Sequence, residues 1–243
     1  IMATTIQTIE LPKKARALDT SGNNNHGQIY SGRGLEFDGV ADYLDTGADD
    51  SVVPKSTYTG MTWSCWFKTT STTLPSEDKH LFTHYYNDER MLLWVDTTGR
   101  LEFRLRGDGG NFDDTLQHNN VCTTRWYHVV ATIKAGGGTD GMHLYINGVL
   151  AATGGDSVPS DVFDSWNTGR TLKVGSNNVG TANFFDGAMC NVQVWNKEFT
   201  AADAEYAFLN PESLALNGGG TALTNSNLKL WYPMQDGHRG QQS

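Results

Sequence analysis

Short apolar runs separated by turn-forming residues recur along most of this chain, and they constrain its fold more than any other feature. Within many of these runs apolar and polar residues alternate, as in strands that bury one face, and the Gly, Asn and Asp residues between them suit tight turns. The sequence therefore predicts an all-β fold of antiparallel strands. The candidate strands are "GLEFDG", "DYLDT", "MTWSCWFKTT", "HLFTHYY", "RMLLWVD", "RLEFRLR", "WYHVVATIK", "MHLYINGVLAAT", "TLKVGS", "AMCNVQVWN" and "LKLWYPM".

Two hairpin connections can be located from their turn residues. Asn147 and Gly148 both accept positive φ, which predicts a type I′ turn that folds residues 144–146 back on residues 149–151. The polar run from Asp96 to Gly99 predicts a second hairpin.

One short helix is predicted near the C-terminal end of the chain. Thr200 precedes "AADAEYAFLN" with Asp203 three residues later, close to a capping box, and Pro211 ends the segment. A single helix leaves the all-β assignment unchanged.

Length and charge restrict the organisation and the partners of the chain. Its 243 residues suit one β-sandwich, predicted over residues 19–243, behind an N-terminal arm of residues 1–18. A formal net charge of -9 repels phosphate backbones, which disfavours nucleic acid as a partner. No apolar run is long enough to cross a membrane, and no signal peptide is evident at the start of the sequence. We expect an extracellular, cell-surface or virion location.

The cysteines Cys65, Cys122 and Cys190 lie far apart in the sequence and have no C-x-x-C spacing. Cys65 and Cys190 fall inside alternating apolar runs, where a thiol usually serves as a small buried hydrophobe. We therefore expect disulfides to contribute little to this fold.

The order of the motifs resembles a laminin G-like domain of the concanavalin A-like lectin and glucanase superfamily. The matching runs, in order along the chain, are "DTSGNNNHG", "GLEFDGVADYLDTG", "MTWSCWFKTTS", "TRWYHVVATI", "LYINGVLAAT", "LKVGSN", "FFDGAMCNVQVWNKEFTAADAEY" and "LKLWYPM". The resemblance implies two curved antiparallel sheets packed as a jelly roll, with rim loops available for binding. The family often carries an Asp-Glu pair after the "F-x-G" turn, where this chain has Cys190 and Asn191.

The acidic residues do not form a predicted catalytic site. Jelly-roll glucanases that resemble this fold use an E-x-D-x-x-E strand whose carboxylates point into one cleft, and no such run occurs here. The nearest acidic pairs, Glu77-Asp78 and Asp88-Glu89, are adjacent residues whose side chains would face opposite ways on a strand. The chain is therefore predicted not to be an enzyme.

The stretch "GLEFDGVADYLDTG" has two interpretations. Asp38-Gly39 makes a turn in both. In the first, the remaining acids, including Asp45, are solvated; in the second, a structural Ca²⁺ recruits oxygens from this turn and from the "DTSGNNNHG" loop. The candidate ligands in the second interpretation are Asp19, Asn23, Asn25, Asp38 and Asp42.

The histidines are predicted to be structural. His80 and His84 lie on a predicted strand, where four residues span roughly 13 Å, so one ion cannot bridge them. His128 accompanies no Ser or Cys nucleophile motif, which favours a packed or surface imidazole.

Aromatic residues are the candidate ligand contacts. On the strand "MTWSCWFK", Trp63 and Phe67 share one face while Trp66 points to the other, where it serves either as a platform for sugar stacking or as a buried side chain. Trp66 also matches a tryptophan that recurs in the family. The other candidate contacts are Tyr85, Tyr86, Phe112, Trp166 and Phe184.

These features favour a non-catalytic recognition module that binds a carbohydrate or a protein surface through rim loops. The alternative is a structural assembly or decoration subunit of a virion or cell-surface array, in which the N-terminal arm adds a strand to a neighbouring sheet. A glycan hydrolase or lyase is the least favoured candidate. An Arg-Gly-Asp triplet at residues 106–108 suggests cell adhesion only weakly, because triplets this short arise by chance.

Overall fold

A computed structural model describes residues 16–17, 27–28, 34–47, 52–86, 89–107, 110, 112–163, 166, 171–211 and 222–234 of the chain. The chain divides into two compact units, residues 1–33 and 34–243. The first unit contains the antiparallel strands β1 (Arg16–Ala17) and β2 (Gly27–Gln28). The predicted boundary of the N-terminal arm after residue 18 lies outside the described residues.

The second unit contains two antiparallel sheets, which we name the back sheet and the front sheet. The back sheet has seven strands. They are β3 (Leu35–Asp38), β5 (Gly60–Thr69), β10 (Tyr127–Lys134), β11 (Met142–Ile146), β12 (Val149–Gly154), β14 (Asp186–Trp195) and β15 (Leu228–Tyr232). Strands β12, β11, β10, β5, β14 and β15 follow one another across this sheet, and β3 pairs with one end of β14.

The front sheet has six strands. In spatial order they are β4 (Leu44–Asp45), β13 (Lys173–Val174), β6 (Lys79–Tyr86), β7 (Glu89–Val95), β8 (Leu101–Arg106) and β9 (Asp113–His118). Every strand predicted from the sequence is present. The sequence did not predict β9, because its residues "DDTLQH" include one buried apolar side chain, Leu116.

The core fills the space between the two sheets because alternate side chains of each strand point inward. On β5 the inward residues Met61, Trp63, Cys65 and Phe67 are fully buried. The Trp63 ring stacks on Phe82 of the front sheet, with 5.3 Å between ring centroids. The predicted all-β jelly-roll sandwich is thus confirmed.

Helix α1 (Ala201–Leu209) lies against the outer face of the back sheet. The predicted capping box is present: Thr200 Oγ1 accepts a hydrogen bond from the Asp203 backbone, and the Asp203 side chain accepts one from the Thr200 backbone. A second, smaller core beneath the helix consists of Val130, Tyr145, Trp195, Phe199, Ala204, Ala207 and Leu223. The helix therefore covers part of the outer face of the back sheet.

The predicted turns are also confirmed. Asn147 and Gly148 have φ values of 52° and 79°, and Ile146 pairs with Val149, as a two-residue type I′ hairpin requires. In the second hairpin, Asp96 Oδ1 accepts hydrogen bonds from the backbone N–H groups of Thr98 and Arg100. Cys65 and Cys190 are buried, as the sequence indicated, and Cys122 is buried as well.

Candidate functional site

A pocket of about 240 Å³ opens on the outer face of the front sheet. Strands β6 and β7 form its floor, and the loop that connects β13 to β14 forms one wall. Its lining combines a cation, an imidazole, two amides and apolar surface, contributed by His80, Tyr85, Arg90, Leu92, Asn177 and Asn183.

The floor of the pocket is organised by cross-strand pairing. Tyr85 on β6 lies directly opposite Arg90 on β7, and the Arg90 guanidinium carbon lies 5.5 Å from the centre of the Tyr85 ring. This cation–π contact positions the charge over the aromatic face. Leu92 follows Arg90 at the period of two residues that keeps both side chains on one face of the strand.

The wall of the pocket is held by hydrogen bonds of asparagine side chains. Asn177 Oδ1 accepts bonds from the backbone N–H groups of Val179 (3.3 Å) and Thr181 (3.0 Å). Asn183 Nδ2 donates to the Asp78 carbonyl at 3.1 Å. These bonds leave the Nδ2 group of Asn177 as a donor and the Oδ1 atom of Asn183 as an acceptor.

His80 is a neutral member of the pocket. Its Nδ1 atom lies 2.7 Å from Thr83 Oγ1. Burial lowers the pKa of His80 to about 4, which the nearby charge of Glu77 opposes only in part. At neutral pH the imidazole therefore offers hydrogen-bonding groups without a charge.

Most cations of the front sheet and its turns lie within 4 Å of a carboxylate. Arg104 makes a two-point contact with Asp113, at 2.7 and 2.5 Å. The other pairs are Lys79 with Glu77, Arg100 with Asp96 and Glu102, Arg106 with Asp113, and Lys173 with Asp45. Arg90 makes no such pair with any residue that the structure describes.

Asp96 and Glu102 form an acidic pair that one cation bridges. Arg100 Nη2 lies 2.7 Å from Asp96 Oδ2 and 3.2 Å from Glu102 Oε1. Burial and the charge of Asp96 raise the pKa of Glu102. For Asp96 itself, burial acts to raise the pKa, but hydrogen bonds from Arg100 and Thr98 outweigh burial, so the pKa of Asp96 is lowered. Both residues are buried: Asp96 is 7% exposed and Glu102 is 8% exposed.

The structure brings one aromatic candidate to the pocket, Tyr85. Phe184 is half-buried and packs near Tyr43, with 6.3 Å between ring centroids. Trp66 lies beneath helix α1, where it stacks on Phe208 at 5.5 Å and contacts His128. Its outer-face position therefore serves packing.

Two further aromatic candidates lie in the main core. Phe112 and Trp166 are 8% and 6% exposed, and Trp166 stacks on His84 and donates from Nε1 to the Val162 carbonyl. Their burial corrects the prediction that they are ligand contacts. The backbone of Tyr86 ends β6, and its side chain lies outside the described part of the structure.

The backbone of the turn after β3 donates hydrogen bonds to the carboxylates of Asp38 and Asp42. Asp38 Oδ1 accepts bonds from the backbone N–H groups of Val40, Ala41 and Asp42, and Asp42 Oδ2 accepts one from the Asp38 backbone. Asp19, Asn23 and Asn25 lie outside the described residues, and within the described ranges no group of three acidic, His or Cys side chains is placed to hold a metal ion. The described residues thus supply at most two of the five predicted Ca²⁺ ligands.

The positions of the histidines follow from the strands that carry them. His80 lies on the outer face of the front sheet, while a bulge after it turns His84 into the core against Trp166. His128 is buried beside Trp66, with Nε2 3.1 Å from Ser64 Oγ, and burial lowers its pKa to about 3.

Arg90, Asn177 and Asn183 line the pocket but were not predicted as site residues. For Arg90 a signal was present: Arg90, Leu92 and Trp94 alternate with the inward residues of β7, which places them on the outer face. The asparagines carried no comparable signal, because their position depends on how the loop between β13 and β14 crosses β6.

The two sheets, their shared core and the single short helix define a lectin-like jelly-roll sandwich with a pocket on its front sheet. Residues 38–205 match the Laminin_G_3 family model, described as the concanavalin A-like lectin/glucanases superfamily. The chain belongs to this family of laminin G-like domains. No curated protein matches its sequence.

Solved structures with a similar fold include several binding domains. The structure "Ruminococcus gnavus IT-sialidase CBM40 bound to alpha2,3 sialyllactose" has a TM-score of 0.54 at 19% identity, covering 71% of this chain and 95% of its own. A heptameric SAP-like pentraxin from Limulus polyphemus has a TM-score of 0.50 at 17% identity, covering 71% and 80%. The binding domain of Botulinum neurotoxin DC in complex with rat synaptotagmin II has a TM-score of 0.50 at 15% identity, covering 68% and 39%. At these identities the similarity establishes the fold alone.

The described part of the chain contains no helix of the length and apolar character needed to cross a membrane.

Proposed function

We propose that this chain is a non-catalytic binding module that holds a carbohydrate in the pocket of the front sheet. The observation that carries the proposal is the combination of an aromatic face, an apolar side chain and several hydrogen-bonding groups around one open pocket. Sugars present apolar C–H faces and rings of hydroxyl groups, so they need both kinds of surface. Tyr85 and Leu92 supply the first, and Arg90, Asn177 and Asn183 supply the second.

The shape of the pocket suits a small ligand. Its volume of about 240 Å³ lies below the range of roughly 300–1,000 Å³ typical of pockets for drug-sized molecules. A single terminal sugar is therefore a better match than the interior of a long polysaccharide. The sialyllactose bound to the Ruminococcus gnavus domain supports this class of ligand, since that domain shares the fold.

The proposal of a non-catalytic module rests on the environment of the acidic residues. Glycoside hydrolysis needs two carboxyl groups that flank the scissile bond at roughly 5–9.5 Å separation. Asp96 and Glu102 are instead bridged by Arg100, and Gln117 Nε2 donates to Glu102 at 2.8 Å. Side chains of the protein thus already engage both carboxylates.

A glycan-array screen of the full chain, followed by calorimetry on the best ligand, tests the proposal. We expect Tyr85→Ala and Asn183→Ala each to weaken binding by about tenfold, a loss of ~1.4 kcal/mol. Leu150→Ala is the matched control, because it removes an exposed apolar side chain from the back sheet and should leave affinity unchanged.

Two results would contradict the proposal. Unchanged affinity in both pocket variants, with melting temperatures equal to that of the wild type, would place the ligand elsewhere. Turnover of the bound glycan that Glu102→Gln abolishes would make the chain an enzyme.

A further inference from the structure

Arg90 is the cation of the front sheet whose charge is least compensated within the described residues. The other described cations there lie within 4 Å of a carboxylate, and Arg90 does not. Its Nε atom is buried and has no hydrogen-bond partner among the described residues. A buried donor without a partner loses the hydrogen bond it would make in water, which costs free energy.

A second cation beside Arg90 further favours the binding of an anion there. Arg90 on β7 lies directly opposite Arg106 on β8, and like charges in this cross-strand arrangement repel each other. Asp113, opposite Arg106 on β9, is an acid whose pKa is lowered by hydrogen bonds from Arg104 and also by the charge of Arg90, although Asp113 and Arg90 form no ion pair within 4 Å. Arg104 already holds Asp113 by two hydrogen bonds, so this carboxylate is not free to turn toward Arg90.

The geometry of the pocket suits one kind of anion. A guanidinium presents parallel N–H donors that match the two oxygens of a carboxylate, and such charge-assisted pairs are among the stronger hydrogen bonds in proteins. The Tyr85 ring restricts the guanidinium to one side of the pocket. Asn177 and Asn183, on the wall, are placed to bind hydroxyl groups of the same sugar.

We propose that the pocket binds a sugar that carries a carboxylate, and that Arg90 donates the hydrogen bonds that recognise it. This inference rests on the proposed function, because it names the chemical class of the glycan that the same pocket takes. It also accounts for a cation in the pocket of a chain whose net charge is -9.

The test compares each acidic oligosaccharide with its carboxyl-reduced form, which has the same sugar skeleton without the charge. Sialyllactose and a galacturonate oligomer are suitable probes, measured by calorimetry on the full chain. We expect the acidic form of the preferred probe to bind at least about tenfold more tightly, with a preference that weakens as salt increases.

Variants assign the preference to Arg90. Arg90→Ala should abolish the difference between the acidic and reduced forms, and Arg90→Lys should keep only part of it because the parallel donors are lost. Arg125→Ala is the control, since it removes an exposed cation outside the front sheet. Melting temperatures show whether each variant is folded, and if Arg90→Ala is not, Arg90→Lys and Arg90→Met carry the test.

The outcomes separate this inference from the proposed function. Equal binding of the acidic and reduced forms, or a preference that persists without Arg90, would overturn the carboxylate assignment while the glycan-binding proposal stands. Tight binding of sulfated glycans without a carboxylate, with the same dependence on Arg90, would also overturn it. If no glycan binds in either form, the proposed function itself fails, and this inference fails with it.

Discussion

Asp38 is the acceptor that closes the turn after β3. Its Oδ1 atom accepts backbone hydrogen bonds from Val40 at 2.8 Å, Ala41 at 2.9 Å and Asp42 at 3.1 Å, while Gly39 takes the bend with φ of 72°. Hydrogen bonds from Ala41, Val40 and Asp42 favour the carboxylate and lower the pKa of Asp38 from its usual 3.8.

The lowered pKa of Asp38 predicts a pH-dependent contribution to stability. Because the folded pKa lies below the unfolded one, the stabilisation is present at neutral pH and is lost as pH falls through the folded pKa. We expect Asp38→Ala to lower the melting temperature at pH 7 and to differ progressively less from the wild type below about pH 3.8. Asp156→Ala, in an exposed turn, is the control. A difference that stays constant down to pH 2 would contradict this account.

Gly148 meets two separate requirements at the tip of the β11–β12 hairpin. Its φ is 79°, and an added Cβ would lie 3.1 Å from both Glu205 Cα and Phe208 Cβ of helix α1. Gly138 has a φ of 64° and nothing within 4 Å of such a Cβ.

This pair of glycines separates backbone strain from crowding. Gly138→Ala should cost roughly 1–2 kcal/mol for the left-handed backbone alone. Gly148→Ala should cost more, because the hairpin and the helix must also move apart. Urea unfolding measures the free energy of unfolding of both variants. Equal losses of this free energy would show that helix α1 moves away from the added methyl group without destabilising the fold.

At the residue scale, the sequence predicted what depends on neighbours in the chain. The Asp38-Gly39 and Asn147-Gly148 turns follow from the backbone preferences of adjacent residues. The sequence left open whether Trp66 is exposed or buried, because its burial beneath helix α1 depends on Phe208, which is far away in the sequence. Phe112 and Trp166 were misplaced for the same reason, since a long-range core decides whether a loop aromatic is exposed.

Strand β9 illustrates how an edge element is held when it buries little apolar surface. Leu116 is its one buried apolar residue, and Asp113 ties it to β8 through Arg104. Hydrogen bonds from Arg104 lower the pKa of Asp113 from its usual value. The charged pair thus contributes to the attachment of β9.

We expect Asp113→Asn to destabilise the fold at neutral pH by about 1 kcal/mol or less, because both partners are partly exposed. The depressed pKa means that the loss should fade as pH drops below about 3.8, where the wild-type carboxylate also becomes protonated. Urea midpoints at pH 7 and pH 3 measure the effect, with Asp140→Asn as the control. A loss of equal size at both pH values would assign the effect to packing.

At the element scale, propensity and periodicity identified the strands that bury one face and the helix with a capping box. They did not identify β9, since a polar edge strand lacks the alternating pattern. They also did not indicate that α1 would lie on the back sheet, because the helix sequence alone does not specify what it packs against. That placement leaves the front sheet as the face that carries the pocket.

At the scale of the whole molecule, the topology assembles the pocket from segments far apart in the chain. Tyr85 and Arg90 come from the β6–β7 hairpin, whereas Asn177 and Asn183 come from a loop about ninety residues later. β13 pairs with β6 and thereby brings this loop over the hairpin. A local sequence pattern cannot reveal such a site, although the order of the motifs along the chain correctly indicated the family and its fold.

Calcium binding stays a prediction, because three of its five predicted ligands, Asp19, Asn23 and Asn25, lie outside the described residues. We propose that the turn after β3 supplies carboxylate oxygens to a structural Ca²⁺. Within the described residues, Asp38 Oδ2 and Asp42 Oδ1 accept no hydrogen bond, so each carboxylate retains one oxygen for a cation. The cation would offset the repulsion between these acids.

The test is to strip the full chain with EGTA and follow its melting temperature as Ca²⁺ is restored. A ligand that binds only the folded state raises the melting temperature by mass action. At a free Ca²⁺ concentration of about one hundred times the Kd, the added free energy of unfolding is ~2.7 kcal/mol. We expect a rise that Asp19→Ala and Asp42→Ala remove and that Asp156→Ala retains. Asp38→Ala is a poor probe, because it also opens the turn. No shift at millimolar Ca²⁺ in a fully stripped sample would favour solvated carboxylates, and a shift that survives both substitutions would place the cation elsewhere.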